Sequence, residues 1–375
     1  MRSRLFLFAC SVLCPILGYP QPIRTDGGRH SNVRIAAPFL LIAPDARAAG
    51  MGDAGVATLP GSHAMHWNAA KYAFAPRQAG VGLSFTPWLK QLADDISLSH
   101  LSGYAKLGGR QAVAASFRYF SLGEVRFADA QGNEYLQYRA FEAALDAAYI
   151  LKLSDQSALA TTFRYIHSGI GAGDYLTGEA FPGRAIAFDI GWYGRKPVAP
   201  HAMDADLAFG VQLSNLGTRM QYGASEHFLP MNLRVGSAYT QYSGVGRLTV
   251  ALDLNKLLVP TEPERDADGR IIRGKEPSRS VFGAVVGSFA DAPGGLAEEL
   301  SEVRVSTGIE WAPSDLFALR GGYYHTSARK DNLRYFTAGL GLAFDGLGID
   351  LAYLVSAQRH NPLRETLRFG LHYGW

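Results

Sequence analysis

Only 18% of the 375 residues are charged, while 42 glycines and 11% aromatics exceed what ordinary soluble domains carry. Charge that sparse does not cover a water-facing surface, and an evenly spread formal net charge of +3 excludes a nucleic-acid footprint. Beyond the first twenty residues there is no apolar run of about 18 residues or more, which excludes membrane-crossing helices.

In chain order, the first expected element is an export signal. Arg2 and Arg4 form a positive start, Leu5 to Leu17 an apolar stretch, and Gly18 and Pro20 follow, so residues 1–20 read as a signal peptide with an approximate cleavage point. Leu7-Phe8-Ala9-Cys10 loosely matches a lipoprotein box, but leaves too short an apolar stretch before the cut. Cys10 and Cys14 are the only cysteines, so the mature chain has no disulfide framework and no cysteine metal site.

Residues 21–77 are turn-rich, with a stretch at 44–74, "PDARAAGMGDAGVATLPGSHAMHWNAAKYAF", that is small, glycine-bearing and contains paired charges. From residue 78 the pattern changes to strict alternation. Phe141, Leu145, Tyr149 and Leu151 oppose Glu142, Asp146 and Lys152, and Leu207, Phe209, Val211 and Leu213 oppose Gly210, Gln212 and Ser214. Leu248, Val250, Leu252 and Leu254 oppose Thr249, Asp253 and Asn255, and Leu347, Ile349, Leu351, Tyr353 and Val355 oppose Gly348 and Asp350. A soluble sandwich would need an oversized core to bury so many apolar faces. A transmembrane barrel turns them to lipid and lines its lumen with the small and polar faces. The chain ends in the same pattern: Phe369, Leu371, Tyr373 and Trp375 share one face and read as the barrel's C-terminal assembly signal.

Alternation gives candidate strands at 79–89, 94–107, 110–121, 139–152, 156–168, 184–195, 204–216, 230–242, 246–258, 279–289, 302–312, 315–326, 333–344, 347–356 and 364–375. Single-chain bacterial barrels have an even number of strands, with short turns on the periplasmic side, so this set contains one too many. Tight connections at 108–109, 153–155, 243–245, 312–314 and 345–346 belong to the short-turn side. With those fixed, the chain leaves outward after 246–258 and returns along 302–312. Residues 259–301 then form one extracellular excursion, in which "SVFGAVVGSFADAPGGLAEEL" is a lid or helix. The predicted fold is all-β: a fourteen-stranded antiparallel transmembrane barrel over 78–375.

At these residues a resemblance emerges. "FLLIAPDARAAGMGDAGVAT", "HWNAAKYAF", "SFTPWL" at 84–89, "LSGYAKL" at 101–107, "RYFSLG" at 118–123, "LDLNKLLVPT" at 252–261 and "GSFADAPGGLAEEL" at 287–300 resemble the PorV family of type IX secretion outer-membrane proteins, within the wider FadL-like barrels. The resemblance implies a FadL-like barrel with an N-terminal hatch in its lumen, located in the outer membrane and not an enzyme. It further implies a shuttle that binds the C-terminal signal domain of secreted cargo at the translocon, SprA or Sov, and delivers it to the sortase-like PorU with PorQ and PorZ. FadL-like hatches often carry Asn-Pro-Ala, whereas here Asn68 precedes Ala69 and Ala70.

The hatch reading assigns Asp45, Arg47, Gly50, Gly52, Asp53, Gly55, His66, Trp67 and Asn68 to the lumen, because backbone at membrane depth must have its polar groups satisfied by protein or water. Inward charges on the strands, Arg118, Asp146, Arg164, Asp189, Arg234, Asp253, Glu310, Arg320 and Asp350, are the expected partners. His66-Trp67-Asn68 reads as a turn cap and packing cluster in preference to a ligand contact. Asp266-Ala267-Asp268-Gly269 lacks the later ligands of a calcium loop and reads as a turn. "GIGAGDYLTG" at 169–178 lacks the lysine and hydroxyl of a phosphate loop. No nucleophile elbow, zinc-protease motif or catalytic carboxylate pair stands out, and no cofactor or metal is expected. Val281, Phe282, Val285, Val286, Phe289, Leu296 and Leu300, placed outside the membrane, form the candidate cargo or partner surface. The alternative is a FadL-like channel for hydrophobic small molecules, which needs a movable hatch and an apolar path.

Overall fold

A computed structural model describes residues 35–88, 95–128, 134–170, 182–198, 204–223, 225–266, 268–278, 280–328, 330, 332–356, 363 and 365–375, without the side chains of 125–138. The expected leader, residues 21–34 and most of the 169–178 loop lie outside the described residues.

Strict alternation produces the strands β1 (Ala79–Pro87), β2 (Ile96–Lys106), β3 (Gln111–Ala128), β4 (Glu134–Lys152), β5 (Ser157–Ser168), β6 (Gly183–Val198), β7 (Ala205–Gly217), β10 (Asn232–Ser243), β11 (Gly246–Leu257), β14 (Arg304–Ser314), β15 (Phe317–His325), β16 (Arg334–Phe344), β17 (Leu347–Ser356) and β18 (Leu367–Gly374). These fourteen close into one antiparallel barrel, with β1 paired to β18 from Gly80↔Gly374 to Phe85↔Phe369. Closure removes the open edges that no sheet can leave exposed in a bilayer. The register keeps like faces together: Leu145, Tyr165 and Ile186 run side by side on the lipid face, while Asp146 lies opposite Arg164 on the inward one. No helix among the described residues is long and apolar enough to cross a membrane.

The strand positions agree with the alternation to within a few residues, except that β3 and β4 continue outward past the expected 121 and 139. Two outer hairpins are additional: β8 (Met220–Tyr222) with β9 (Ser225–His227), and β12 (Glu264–Arg265) with β13 (Ile271–Arg273). They are too short to show a period. The stretch 279–289 is not a strand; the excursion contains two helices, α3 (Val281–Gly287) and α4 (Leu296–Ser301).

Residues 35–78 run through the lumen. Ile35 bridges Phe228 at the long-loop end, and the Ala36 N–H donates to the Phe228 carbonyl at 2.8 Å. A 3-10 turn (Pro38–Leu41), α1 (Ala46–Gly50), α2 (Ala64–Trp67) and a second 3-10 turn (Ala69–Phe74) carry the chain to the short-turn end, where the Lys106 N–H donates to the Gln78 carbonyl. Local signals start these elements. Pro38 supplies the fixed φ of a first turn, the Asp45 carboxylate caps α1 by accepting from Arg47 N, and the Asn68 side chain caps the second 3-10 turn by accepting from Ala70 N.

Candidate functional site

Most of the luminal segment is buried, so each of its polar groups needs a partner. The Arg47 guanidinium forms a two-point pair with Glu310, Nε to Oε2 at 2.8 Å and Nη2 to Oε1 at 2.9 Å, and its third nitrogen donates to the Leu59 carbonyl. Glu310 is 1% exposed and also accepts from Arg320 at 2.7 Å, which in turn reaches Asp350 at 2.7 Å. A buried carboxylate held by two guanidiniums is a fixed joint: removing one partner leaves charge stranded away from water.

Asp253 accepts from the N–H groups of Gly55 and Val56 at 2.7 and 2.8 Å. Lys71 donates to the Gly55 carbonyl and the Thr58 hydroxyl, so the turn at 55–58 is tied from both sides. Asp53 takes a left-handed φ of 60°, costly for a residue with a Cβ, and its two carboxylate oxygens accept from Arg368 and the Tyr335 hydroxyl, both at 2.7 Å. Gly52, at φ 67°, approaches the wall so closely that a Cβ there would sit 2.5 Å from Tyr323 N, and opposite it a Cβ on Gly322 would sit 2.0 Å from Gly52 N. Only paired glycines allow that contact.

His66 and Trp67 meet edge to face at 4.7 Å. Trp67 Nε1 donates to Asp45 at 3.2 Å, Arg234 lies 5.3 Å over the Trp67 ring and donates to the His66 carbonyl, and Arg118 bonds to His66 Nδ1 and the Leu40 carbonyl. Asn68 reaches the Trp192 carbonyl at 2.8 Å. The structure thus brings Asp45, Arg47, Gly50, Gly52, Asp53, Gly55, His66, Trp67 and Asn68 into one luminal assembly.

The expected inward partners divide. Arg118, Arg234, Asp253 and Glu310 bond to the segment directly, with Arg320 and Asp350 behind Glu310. Asp146, Arg164 and Asp189 form a separate wall network: Arg164 bonds to Asp146 at 2.7 Å and to Asp189 at 3.0 Å. Asn215, at positive φ beside a register shift between β6 and β7, joins it by bonding to Arg164 and Asp189. The network stabilises a bulge in the wall, and a bulge has no sequence period to announce it.

Toward the outer end of the lumen lies an apolar cluster. Phe39 and Leu40 pack among Leu98, Phe120, Ile166, Met220 and Leu229. Toward the short turns lies a cavity of about 690 Å³, bounded by the luminal segment and the lower ends of the strands.

The excursion over 258–303 is fastened to the rim by charge. Lys256 reaches Glu299 at 2.9 Å and Glu302 at 2.6 Å, and Lys330 reaches Glu298 at 2.6 Å and Glu302 at 2.9 Å. Burial works to raise the Glu302 carboxyl, but the two lysines outweigh it and hold it below the usual range. Burial likewise opposes the charge on Lys330, yet bonds to Glu298 and Glu302 raise it. Asp291 is pushed up to about 6 by burial and the nearby Glu299 and Glu302, against a bond from Thr261 N. This clamp was not anticipated; alternation says nothing about loop charges.

Ser280 caps α3 by accepting from Gly283 N. The helix divides the expected apolar surface. Val281, Ala284 and Val285 turn inward onto Met231, Leu258 and Val259, whereas Phe282 (80% exposed), Val286 (58%) and Phe289 (50%) face out, as do Leu296 (75%) and Leu300 (66%) at i,i+4 on α4. On β18, Phe369, Leu371 and Tyr373 face lipid, and Trp375 stacks on Tyr373 at 5.7 Å. The Asp266 carboxylate accepts from the N–H groups of Asp268 and Arg270, closing the β12–β13 turn.

A closed fourteen-stranded barrel with apolar residues to lipid, polar residues inward and short turns at one end defines an outer-membrane β-barrel protein. The family model described as "Type IX secretion system protein PorV" matches residues 26–264, more than half of the chain. The protein belongs to the PorV family and is an outer-membrane component of the type IX secretion system. No curated protein matches the chain. Among solved structures it is similar to the Pseudomonas putida toluene transporter TodX, at 13% identity and TM-score 0.47 over 87% of this chain and 95% of that one. It is also similar to the Ralstonia pickettii toluene transporter TbuX (12%, 0.46, 88% and 97%) and a Pseudomonas aeruginosa FadL homologue (10%, 0.42, 88% and 98%). At those scores the likeness carries no functional argument.

Proposed function

We propose that this protein is a non-enzymatic cargo shuttle. It binds the C-terminal signal domain of secreted proteins at the type IX translocon, SprA or Sov, and passes them to the PorU attachment complex with PorQ and PorZ. The luminal segment acts as a fixed hatch that keeps the barrel sealed. The observation that supports this most is the pairing of a lumen crossed by a bonded segment with outward apolar residues on a clamped loop: Phe282, Val286, Phe289, Leu296 and Leu300 remain exposed while the excursion itself is fastened to the rim. Exposed apolar groups on an anchored element mark a partner surface. A mild, partly apolar contact suits cargo that must be released again.

The channel reading requires an apolar path through the barrel. Phe39 and Leu40 fill the place where such a path would run, and the charged joints of Arg47, Asp53 and Asp253 lie across the middle. Among the described residues, an enzymatic reading has one Ser-His contact to offer, Ser102 Oγ to His63 Nδ1 at 3.2 Å. Ser102 is 2% exposed, and its hydroxyl donates to the Ser62 carbonyl at 2.8 Å, which leaves His63 as donor and not as base.

Deleting residues 278–300 tests the reading. With barrel insertion retained, co-purification of cargo from mild detergent extracts should be abolished; undiminished cargo recovery would refute the loop assignment.

A further inference from the structure

The cavity on the short-turn side has an uneven distribution of charge. On its β14–β17 arc every cation has carboxylates near it: Glu310 is engaged by Arg47 and Arg320, Asp350 by Arg320 and by His372 at 3.3 Å, and the exposed Asp315 and Asp345 stand in the turns after β14 and β16. Asp45, on the luminal segment, is taken by Arg47 N and Trp67 Nε1. The arc from β1 to β11 differs. Arg77, Arg195 and Arg247 line the cavity there, and among the described residues Arg77 and Arg195 have no carboxylate partner. Arg247 has only Glu310 at 3.6 Å, and its buried Nε has no hydrogen-bond partner.

The Arg195 guanidinium lies 4.9 Å over the Phe74 ring. Stacking holds the group while leaving its in-plane N–H edges available for an oxyanion. Tyr104 and Tyr242 line the same wall, their hydroxyls donating to the Arg77 carbonyl and to Asp206. Below the mouth, Lys106 and Lys152 continue the positive arc; Lys152 lies 5.8 Å from the Phe74 ring. Its carboxylates are few: Asp155 pairs with Lys152, Asp206 accepts from Tyr242, and Asp204 lies exposed ahead of β7. One sign of charge in a cleft with low-dielectric walls focuses the field on whatever enters.

We propose that this periplasmic vestibule is a second binding site, which takes an acidic peptide segment of a periplasmic partner on the Arg77, Arg195 and Arg247 wall. A cavity of about 690 Å³ exceeds the needs of a single phosphate and suits a short chain segment carrying several carboxylates. The mouth opens along the inside of the barrel to water. A leaflet lipid faces the outer wall instead and would have to leave the bilayer to reach these guanidiniums.

The test uses the full mature chain in detergent, with fluorescent hexaglutamate as probe and hexalysine as its control. Hexaglutamate should bind saturably and more weakly as salt rises, and hexalysine should not bind. Arg77→Glu/Arg195→Glu should weaken hexaglutamate about tenfold or more, and Arg219→Glu at the outer end should leave it unchanged. Heat-modifiable mobility on gels reports an intact barrel; if the double variant loses it, Arg195→Gln alone serves, with an expected loss of several-fold. Equal binding of both peptides, or no effect of these variants, would overturn the proposal. So would retention of anionic phosphatidylglycerol nanodiscs by the same arginines while hexaglutamate is ignored.

Discussion

The lumen and the outer excursion are built from opposite materials. In the lumen, charges are buried, multiply bonded and set against glycine contacts so close that one added methyl does not fit. On the excursion, the charges form a clamp at the base and Phe282, Val286, Phe289, Leu296 and Leu300 face water. A buried bonded charge resists movement, because any displacement strands it; an exposed apolar face invites a partner. On the proposed function, the difference is that between a seal and a contact surface within one chain.

The strongest way to break that contrast is to remove the joint. Glu310→Ala leaves Arg47 and Arg320 facing each other without their carboxylate, and such a loss costs about 3–5 kcal/mol. The expected outcome is protease cleavage within 35–78 together with a lowered Tm; a segment that stays protected would mean the seal does not depend on this joint. Next in size is Gly52→Ala. Its left-handed φ costs about 1–2 kcal/mol, and the clash with Tyr323 and Thr307 adds to it. The same protease assay should show an intermediate effect, and Gly287→Ala, which meets open space on the excursion, should show none in the lumen.

The barrel was legible because lipid on one side and water on the other impose a period of two on every strand, and parity of turns then excluded 279–289 from the sheet. The luminal segment was legible as a polar, glycine-bearing stretch that needed inward partners. Which partner met which residue was not. Asp53 with Arg368 and Tyr335, and Thr337 bonding to both Gly50 O and Gly52 N, join residues from 282 to 315 positions apart in ways no local pattern encodes. The split of α3 into Val281 and Val285 inward, Phe282 and Val286 outward, was equally hidden: every one of those positions is apolar, so hydropathy alone cannot tell the packed side from the free one.

The smallest expected effect concerns how firmly the excursion is held as pH changes. Asp291, raised to about 6, favours its protonated form when docked, so its contribution is fully present below its ordinary carboxyl value and lost as pH rises through about 6. Glu302 runs the other way. Held low by Lys256 and Lys330, it contributes above the ordinary glutamate value and fails as pH falls through its depressed one. Docking should therefore tighten modestly from pH 7 to about 5 and loosen in stronger acid. Hydrogen exchange across 281–301 would follow it, corrected for intrinsic rates. Asp291→Asn should remove the tightening limb and leave the acid limb in place, whereas Glu302→Gln should weaken docking at every pH. A lumen held by buried joints should show neither limb between pH 5 and 7, so a matching profile at 46–58 would erase the distinction between seal and contact surface.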